Sequence, residues 1–139
     1  MAVAYWLMKT EPTTYSFEQL EKDGKTNWSG VRNFQARNNL KNAKKGDLVL
    51  IYHSGDDKAV VGIAKVSKGA YPDLDPKKPG EWVQVDIEPV KSIGAPVTLK
   101  TIKSESKLKT IPLIRLSRLS VMPIEKTHFD KIVELGKAK

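Results

Sequence analysis

The run Leu48-Val49-Leu50-Ile51-Tyr52-His53, closed by Ser54-Gly55-Asp56-Asp57 and followed by Ala59 to Val66, most narrows what this chain can fold into. Two apolar, β-branched runs of strand length joined by a Gly- and Asp-rich turn read as a β-hairpin. Other segments supply partners for it. Ala2 to Lys9 is rich in aromatic and aliphatic residues and ends at Thr10-Glu11-Pro12, so it reads as a buried first strand. Trp82 to Ile87 alternates, with Trp82, Gln84 and Asp86 on one face and Val83, Val85 and Ile87 on the other. Leu119 to Ile124 reads as a last strand, confined to an edge or stopped at Pro123, which lacks an N–H.

Helices are expected between these strands. Ser16-Phe17-Glu18-Gln19 has capping-box spacing with Tyr15 as a staple, and the helix should run to about Lys22 and stop at Asp23-Gly24. Asn27-Trp28-Ser29-Gly30 reads as a turn into a helix over Val31 to Asn42 with Ser29 as its cap, although the many asparagines there are poor helix formers. Lys44 to Asp47 is a turn, Tyr71 to Gly80 with its three prolines a surface loop, and Val97 to Lys109 a mixture of helix and turn. Thr127 is placed to cap a final helix through Leu135, with Gly136 at its end. About five strands with short peripheral helices give one α+β domain over residues 1–139, a curved sheet or small barrel.

Composition removes whole classes of function. With no cysteine there is no disulfide, thiolate nucleophile, cysteine zinc site or iron–sulfur cluster. Two histidines, His53 and His128, are too far apart in sequence for a paired zinc-ligand helix. The phosphate-loop, dinucleotide-turn and nucleophile-elbow motifs are missing. Neither apolar run, Ala2 to Met8 or Leu48 to Tyr52, approaches the about 20 residues a membrane span needs, and the first lacks the flanks of a signal peptide. No membrane partner, no metal, no cofactor and a cytoplasmic location are expected. The chain carries 24 Lys and Arg against 16 Asp and Glu, a formal charge of +8. Lys91 to Arg118 concentrates seven of those cations (Lys91, Lys100, Lys103, Lys107, Lys109, Arg115 and Arg118) against Glu105 alone. Such a stretch attracts phosphates, although a solvated basic surface accounts for charge equally well.

Several residues stand out as candidates. His53 ends a strand and is either bonded to backbone or placed at a pocket mouth; His128, in the first turn of the last helix, is expected at the surface. Trp6 belongs to the core, whereas Trp28 and Trp82 either pack down or offer a stacking face to a planar ligand. Asn33 and Arg37, four apart, share a helix face with Arg32 to its side, either a solvated face or a set suited to base edges and phosphates.

Three blocks in chain order, Tyr5-Trp6-Leu7-Met8-Lys9-Thr10-Glu11-Pro12, Trp28-Ser29-Gly30-Val31-Arg32-Asn33-Phe34-Gln35-Ala36-Arg37-Asn38-Asn39-Leu40 and Tyr52-His53-Ser54, resemble the EVE domain family. Ala59 to Ala64, Ala70 to Asp73 and Arg118 to Pro123 match in the same order. The resemblance implies a PUA-like mixed β-barrel of about five to six strands with peripheral short helices. It also implies a non-catalytic pocket that reads one modified base of DNA or RNA, 5-methylcytosine among them. On that expectation Trp28 and Trp82 stack, and Asn33, His53 and Ser54 bond a base edge. Ser29, Val31 and Tyr52 complete the pocket, while Lys9, Arg32, Arg37 and Arg118 meet phosphates. No basic segment for nuclear import precedes the first block, so a bacterial-type, monomeric form is expected. A protein-interaction module is the alternative, and a nuclease or base hydrolase using Asp86, Glu11 or His53 a more distant one.

Overall fold

Two parallel strands, β1 (Tyr5–Thr10) and β3 (Leu48–His53), are paired from Tyr5 opposite Leu48 to Thr10 opposite His53. The computed structural model describes residues 3–13, 15–28, 34–55, 57–72, 82–116 and 119–137. β4 (Ala59–Pro72) and β5 (Val83–Thr98) continue the sheet antiparallel on one side, ending at the edge strand β2 (Thr26–Trp28). β6 (Val121–Ile124) lies antiparallel to β1 on the other, giving the order β2-β5-β4-β3-β1-β6. Trp6, Leu7 and Met8 on β1 and Val49 to His53 on β3 are all buried, so both faces of the centre are covered.

The hairpin expected over residues 48–66 forms, but its second strand and β5 run further than expected. β4 continues past Val66 through Pro72, taking in the first two residues of the loop expected over Tyr71 to Gly80, whose remainder lies outside the described residues, and β5 continues past Ile87 through Thr98. Irregularities explain why the prolines do not stop β5. The register shifts between Ile63 and Ala64, where Pro89 stands, and again between Val60 and Gly62, the interval that takes in Pro96. β6 starts at Val121 rather than Leu119, and Pro123 does sit on an edge. The turn expected at Asn27-Trp28 is instead the end of β2, held by pairing with Asn27 opposite Asp86 and Trp28 opposite Val85. Among the described residues β2 and β6 do not pair, so the sheet stays open.

Helices close over the sheet. α1 (Phe17–Asp23) starts where Ser16 accepts the Gln19 N–H and ends at Gly24, whose φ of 78° is the left-handed cap. Gln19 completes only half of the capping box, because its amide turns to Asp23. The Phe17 ring lies flat over Gly62 of β4, where a Cβ would stand 2.4 Å from a ring carbon. α2 (Phe34–Asn42) buries Ala36 and Leu40 and packs against β4, β5 and β6. The expected first turn over residues 31–33 and its Ser29 cap lie outside the described residues. α3 (Leu99–Ser104), a short 3-10 turn (Ser106–Leu108) and α4 (Pro112–Arg115) lead to β6. No helix among the described residues is long and apolar enough to cross a membrane.

α5 (Lys126–Lys137) corrects three expectations. The carbonyl of Glu125 accepts the first helical N–H, from Phe129, so Glu125 and not Thr127 occupies the cap position. Gly136 lies within the helix, where a Cβ would meet Ile93 Cγ2 at 2.1 Å, so it serves close packing on β5. His128 is buried, 3% exposed, and not at the surface. Its Nδ1 accepts the Glu125 N–H at 3.2 Å, and its Nε2 lies 3.3 Å from Thr110 Oγ1. Burial covers it because α5 lies on β5 and on Tyr5, whose ring meets Phe129 at 4.9 Å.

Asp47, 5% exposed, ties these layers at one end. Its carboxylate accepts the Ala4 N–H (3.1 Å), the Trp6 indole N–H (2.9 Å) and the Lys44 N–H (2.9 Å), while its carbonyl accepts the Val66 N–H (2.9 Å). Asp47→Ala leaves three donors without their acceptor and should destabilise the fold by about 3–5 kcal/mol in urea unfolding. Burial lowers the pKa of His128 below its ordinary 6.5, with Glu125 opposing weakly. A lowered folded-state pKa gives stability that is complete above pH 6.5 and is lost as pH falls toward the folded value. Thermal melts of His128→Gln should therefore fall less between pH 7 and 5 than those of the wild type.

Candidate nucleic-acid interface

Parallel pairing brings the C-terminal ends of β1 and β3 out side by side, and with them Lys9, Thr10 and Glu11 beside Tyr52, His53 and Ser54. Lys9 Nζ stands 5.7 Å from the centre of the Tyr52 ring. Burial lowers the ammonium's pKa and raises that of the Tyr52 phenol, so a half-buried cation here lies over an aromatic face in a partly dry setting. The Lys9 N–H donates to Ser120 O at 2.9 Å, which joins β6 to the same end.

Ser54 closes the gap between the two strand ends. Its N–H donates to Thr10 O at 2.8 Å, and its hydroxyl reaches Glu11 Oε1 at 3.2 Å. Glu11 also accepts from Thr13 Oγ1 at 3.4 Å and lies over Gly55, whose φ of 74° favours glycine.

His53 sits just behind this surface, 8% exposed. Its Nε2 accepts the Phe17 N–H at 3.0 Å, one of the donors that α1 cannot satisfy internally, and its Nδ1 faces Asp57 Oδ2 at 3.2 Å. With Nε2 accepting, the proton belongs on Nδ1, directed at Asp57. Both ring nitrogens thus have partners inside the protein, so the ring positions α1 and the 54–57 turn.

A second group lies where β2, α2 and β5 meet. Trp28 ends β2, half-buried against the core. Trp82 is 4% exposed, and the Arg37 guanidinium of α2 covers it at 5.7 Å from the ring centre, so its face is already occupied. Arg37 also donates to Asn38 Oδ1 through Nε (3.3 Å) and Nη2 (3.1 Å). Asn27 donates to Gln84 Oε1 at 2.8 Å and Gln84 to Pro72 O at 2.9 Å, a chain that ties the short β2 to β5 and β4. Asp86 accepts from the Tyr71 hydroxyl.

Of the residues expected at the site, the strand ends bring together Lys9, Tyr52, His53 and Ser54, and Arg37 meets Trp82. Ser29, Val31, Arg32, Asn33 and Arg118 lie outside the described residues. Asn39 was read only as a poor helix former, yet its amide donates to Val121 O at 2.6 Å and anchors α2 to β6. That long-range bond gives a reason for asparagine where local propensity has none, and no sequence signal points to it. Each of the carboxylates and histidines considered for catalysis is engaged by a neighbour. Among the described residues no three of His, Asp and Glu gather as metal ligands.

The EVE domain family model matches residues 4–135. Thymocyte nuclear protein 1 of Gallus gallus is 32% identical over 168 residues, covering 97% of this chain and 69% of its own length. The crystal structure of an Agrobacterium tumefaciens protein superposes with a TM-score of 0.93 at 38% identity, covering 96% of this chain and 93% of that one. Human THYN1 protein in complex with 5-methylcytosine-containing DNA superposes with a TM-score of 0.89 at 29% identity, covering 98% and 99%. The expected PUA-like α+β fold is thus the one adopted, as an open six-stranded mixed sheet. His53→Ala should destabilise the fold by about 2–3 kcal/mol in urea unfolding, because the Phe17 N–H and Asp57 both lose a buried partner.

Proposed function

This chain belongs to the EVE domain family, and from that premise we propose that it binds DNA and reads a modified base, 5-methylcytosine foremost, without catalysing a reaction. The observation that carries the reading is the human THYN1 structure with 5-methylcytosine-containing DNA, a homologue that aligns over nearly the whole chain. The local chemistry agrees with it. Lys9, held over the buried Tyr52 ring and flanked by Ser54 and Glu11, puts a cation and hydrogen-bonding groups within one short stretch of strand ends.

Roles divide among the residues on this reading. Trp28 offers the stacking face, with Ser29, Val31 and Tyr52 as the remaining walls of the pocket. Asn33 and Ser54 bond the edge of the base. Lys9, Arg32, Arg37 and Arg118 meet the phosphates, with Trp82 as the floor that holds Arg37 in place. His53 acts through the turn it fixes rather than by touching the base. Taking a base out of a duplex costs a few kcal/mol, and one aromatic stack returns about 1–3 kcal/mol, so edge contacts and phosphate charge must supply the balance.

Trp28→Ala should weaken binding to a duplex with one 5-methylcytosine by about 10- to 100-fold, the factor that such a stack contributes. Trp28→Phe should recover most of the loss. Fluorescence anisotropy, with circular dichroism to check the fold, reads both. Unchanged affinity of a folded Trp28→Ala protein would refute the stacking role.

A further inference from the structure

The end of the sheet that carries Lys9 and Tyr52 continues sideways into a basic groove. The register sets Thr10 beside His53, His53 beside Ala59 and Ala59 beside Thr98, so the ends of β1, β3 and β5 and the start of β4 form one rim. At the β5 side of that rim opens a groove of about 370 Å³ lined by Asp57, Lys58, Thr98, Leu99, Lys100 and Lys103. All three lysines are exposed, and among the described residues none is paired with a carboxylate. The one acidic group of the groove, Asp57, is turned toward His53.

The backbone holds the three cations together. Lys58 has a φ of 43°, a conformation that side-chain-bearing residues seldom adopt, and its carbonyl accepts the Leu99 N–H at 2.8 Å. That bond pins the hairpin turn to the start of α3, on which Lys100 and Lys103 stand three apart and so on neighbouring positions of the helix surface. Rim geometry then sets a distance. Three strand spacings separate β1 from β5, about 14 Å in all. Measured along the helix axis of B-form DNA, that equals about four nucleotide steps at 3.4 Å each.

We propose that the Lys58, Lys100 and Lys103 groove holds backbone phosphates of the bound nucleic acid, about four nucleotides from the base at the β1 and β3 ends. The proposal rests on the nucleic-acid reading above and adds to it a direction, from the pocket across β4 toward β5. Three exposed ammonium groups around one groove suit a phosphodiester chain, which they neutralise without selecting a sequence.

The test compares two triple variants with wild type on 12-base-pair duplexes, one with a central 5-methylcytosine and one without, across a sodium chloride series. The groove variant is Lys58→Asn, Lys100→Ala and Lys103→Ala, with asparagine chosen because it tolerates the left-handed backbone. The control, Lys41→Ala, Lys44→Ala and Lys45→Ala, removes equal charge around the turn that enters β3 at its other end. Each lost phosphate contact takes about 0.9 from the slope of log affinity against log salt. The groove variant should therefore lose about 2–3 from that slope and keep the wild-type preference for the methylated duplex, while the control keeps both. An unchanged slope in the groove variant, or an equal loss in the control, overturns the proposal. Absence of any methyl preference in the wild type is a separate readout, and it counts against the base-reading function rather than the groove.

Discussion

A single carboxylate, that of Asp47, sets the frame on which everything else hangs. Buried, and in no ion pair among the described residues, it is satisfied by three N–H donors from Ala4, Trp6 and Lys44, while its own carbonyl takes the Val66 N–H. Those bonds join the start of β1, the turn before β3 and the middle of β4. Parallel strands have no tight turn to fix their register, so a buried polar tie at one end serves instead. With Tyr5 held opposite Leu48 there, Lys9 falls opposite Tyr52 and Thr10 opposite His53 at the other end. The proposed interface follows from that alignment, since a slip by one residue would turn Lys9 to the opposite face of the sheet.

His53 has a matching part at the far end. Its two nitrogens take the Phe17 N–H and Asp57, so the start of α1 and Asp57 are both tied to the end of β3. Ser54 and Glu11 bond across that turn to bring the β1 and β3 ends together. Trp82 plays a similar supporting part beneath Arg37. The residues that look most reactive in the sequence are thus largely the ones that hold others in place.

Local chemistry made much of this legible. Leu48 to His53 is a strand with the expected bounds, and Ser16 and Gly24 delimit α1 through the caps their side chains and backbone favour. What escaped depends on distant partners. The lengths of β4 and β5 rest on register shifts that let Pro89 and Pro96 into the sheet, and no local pattern signals them. β2 is three residues held by its pairing with β5. His128 is buried because α5 lies on β5 and Tyr5, far away in the chain. For the proposed site, the resemblance implied Lys9, Tyr52 and Ser54; it gave no role to Asn39, which stands within its longest block, and none to the three lysines. Lys100 and Lys103 were visible only as part of a basic stretch, because Lys58 joins them through the fold.

The central claim is that a modified base is read at the C-terminal ends of β1 and β3. The most direct measurement is a ¹⁵N-resolved NMR titration with two short duplexes that differ by one cytosine methyl group. The account predicts that shifts differing between the duplexes gather at Lys9, Tyr52, Ser54 and the Trp28 indole, with the amides of Ala4, Lys44 and Asp47 unmoved. Identical shifts for both duplexes, or differences confined to those amides, would contradict it.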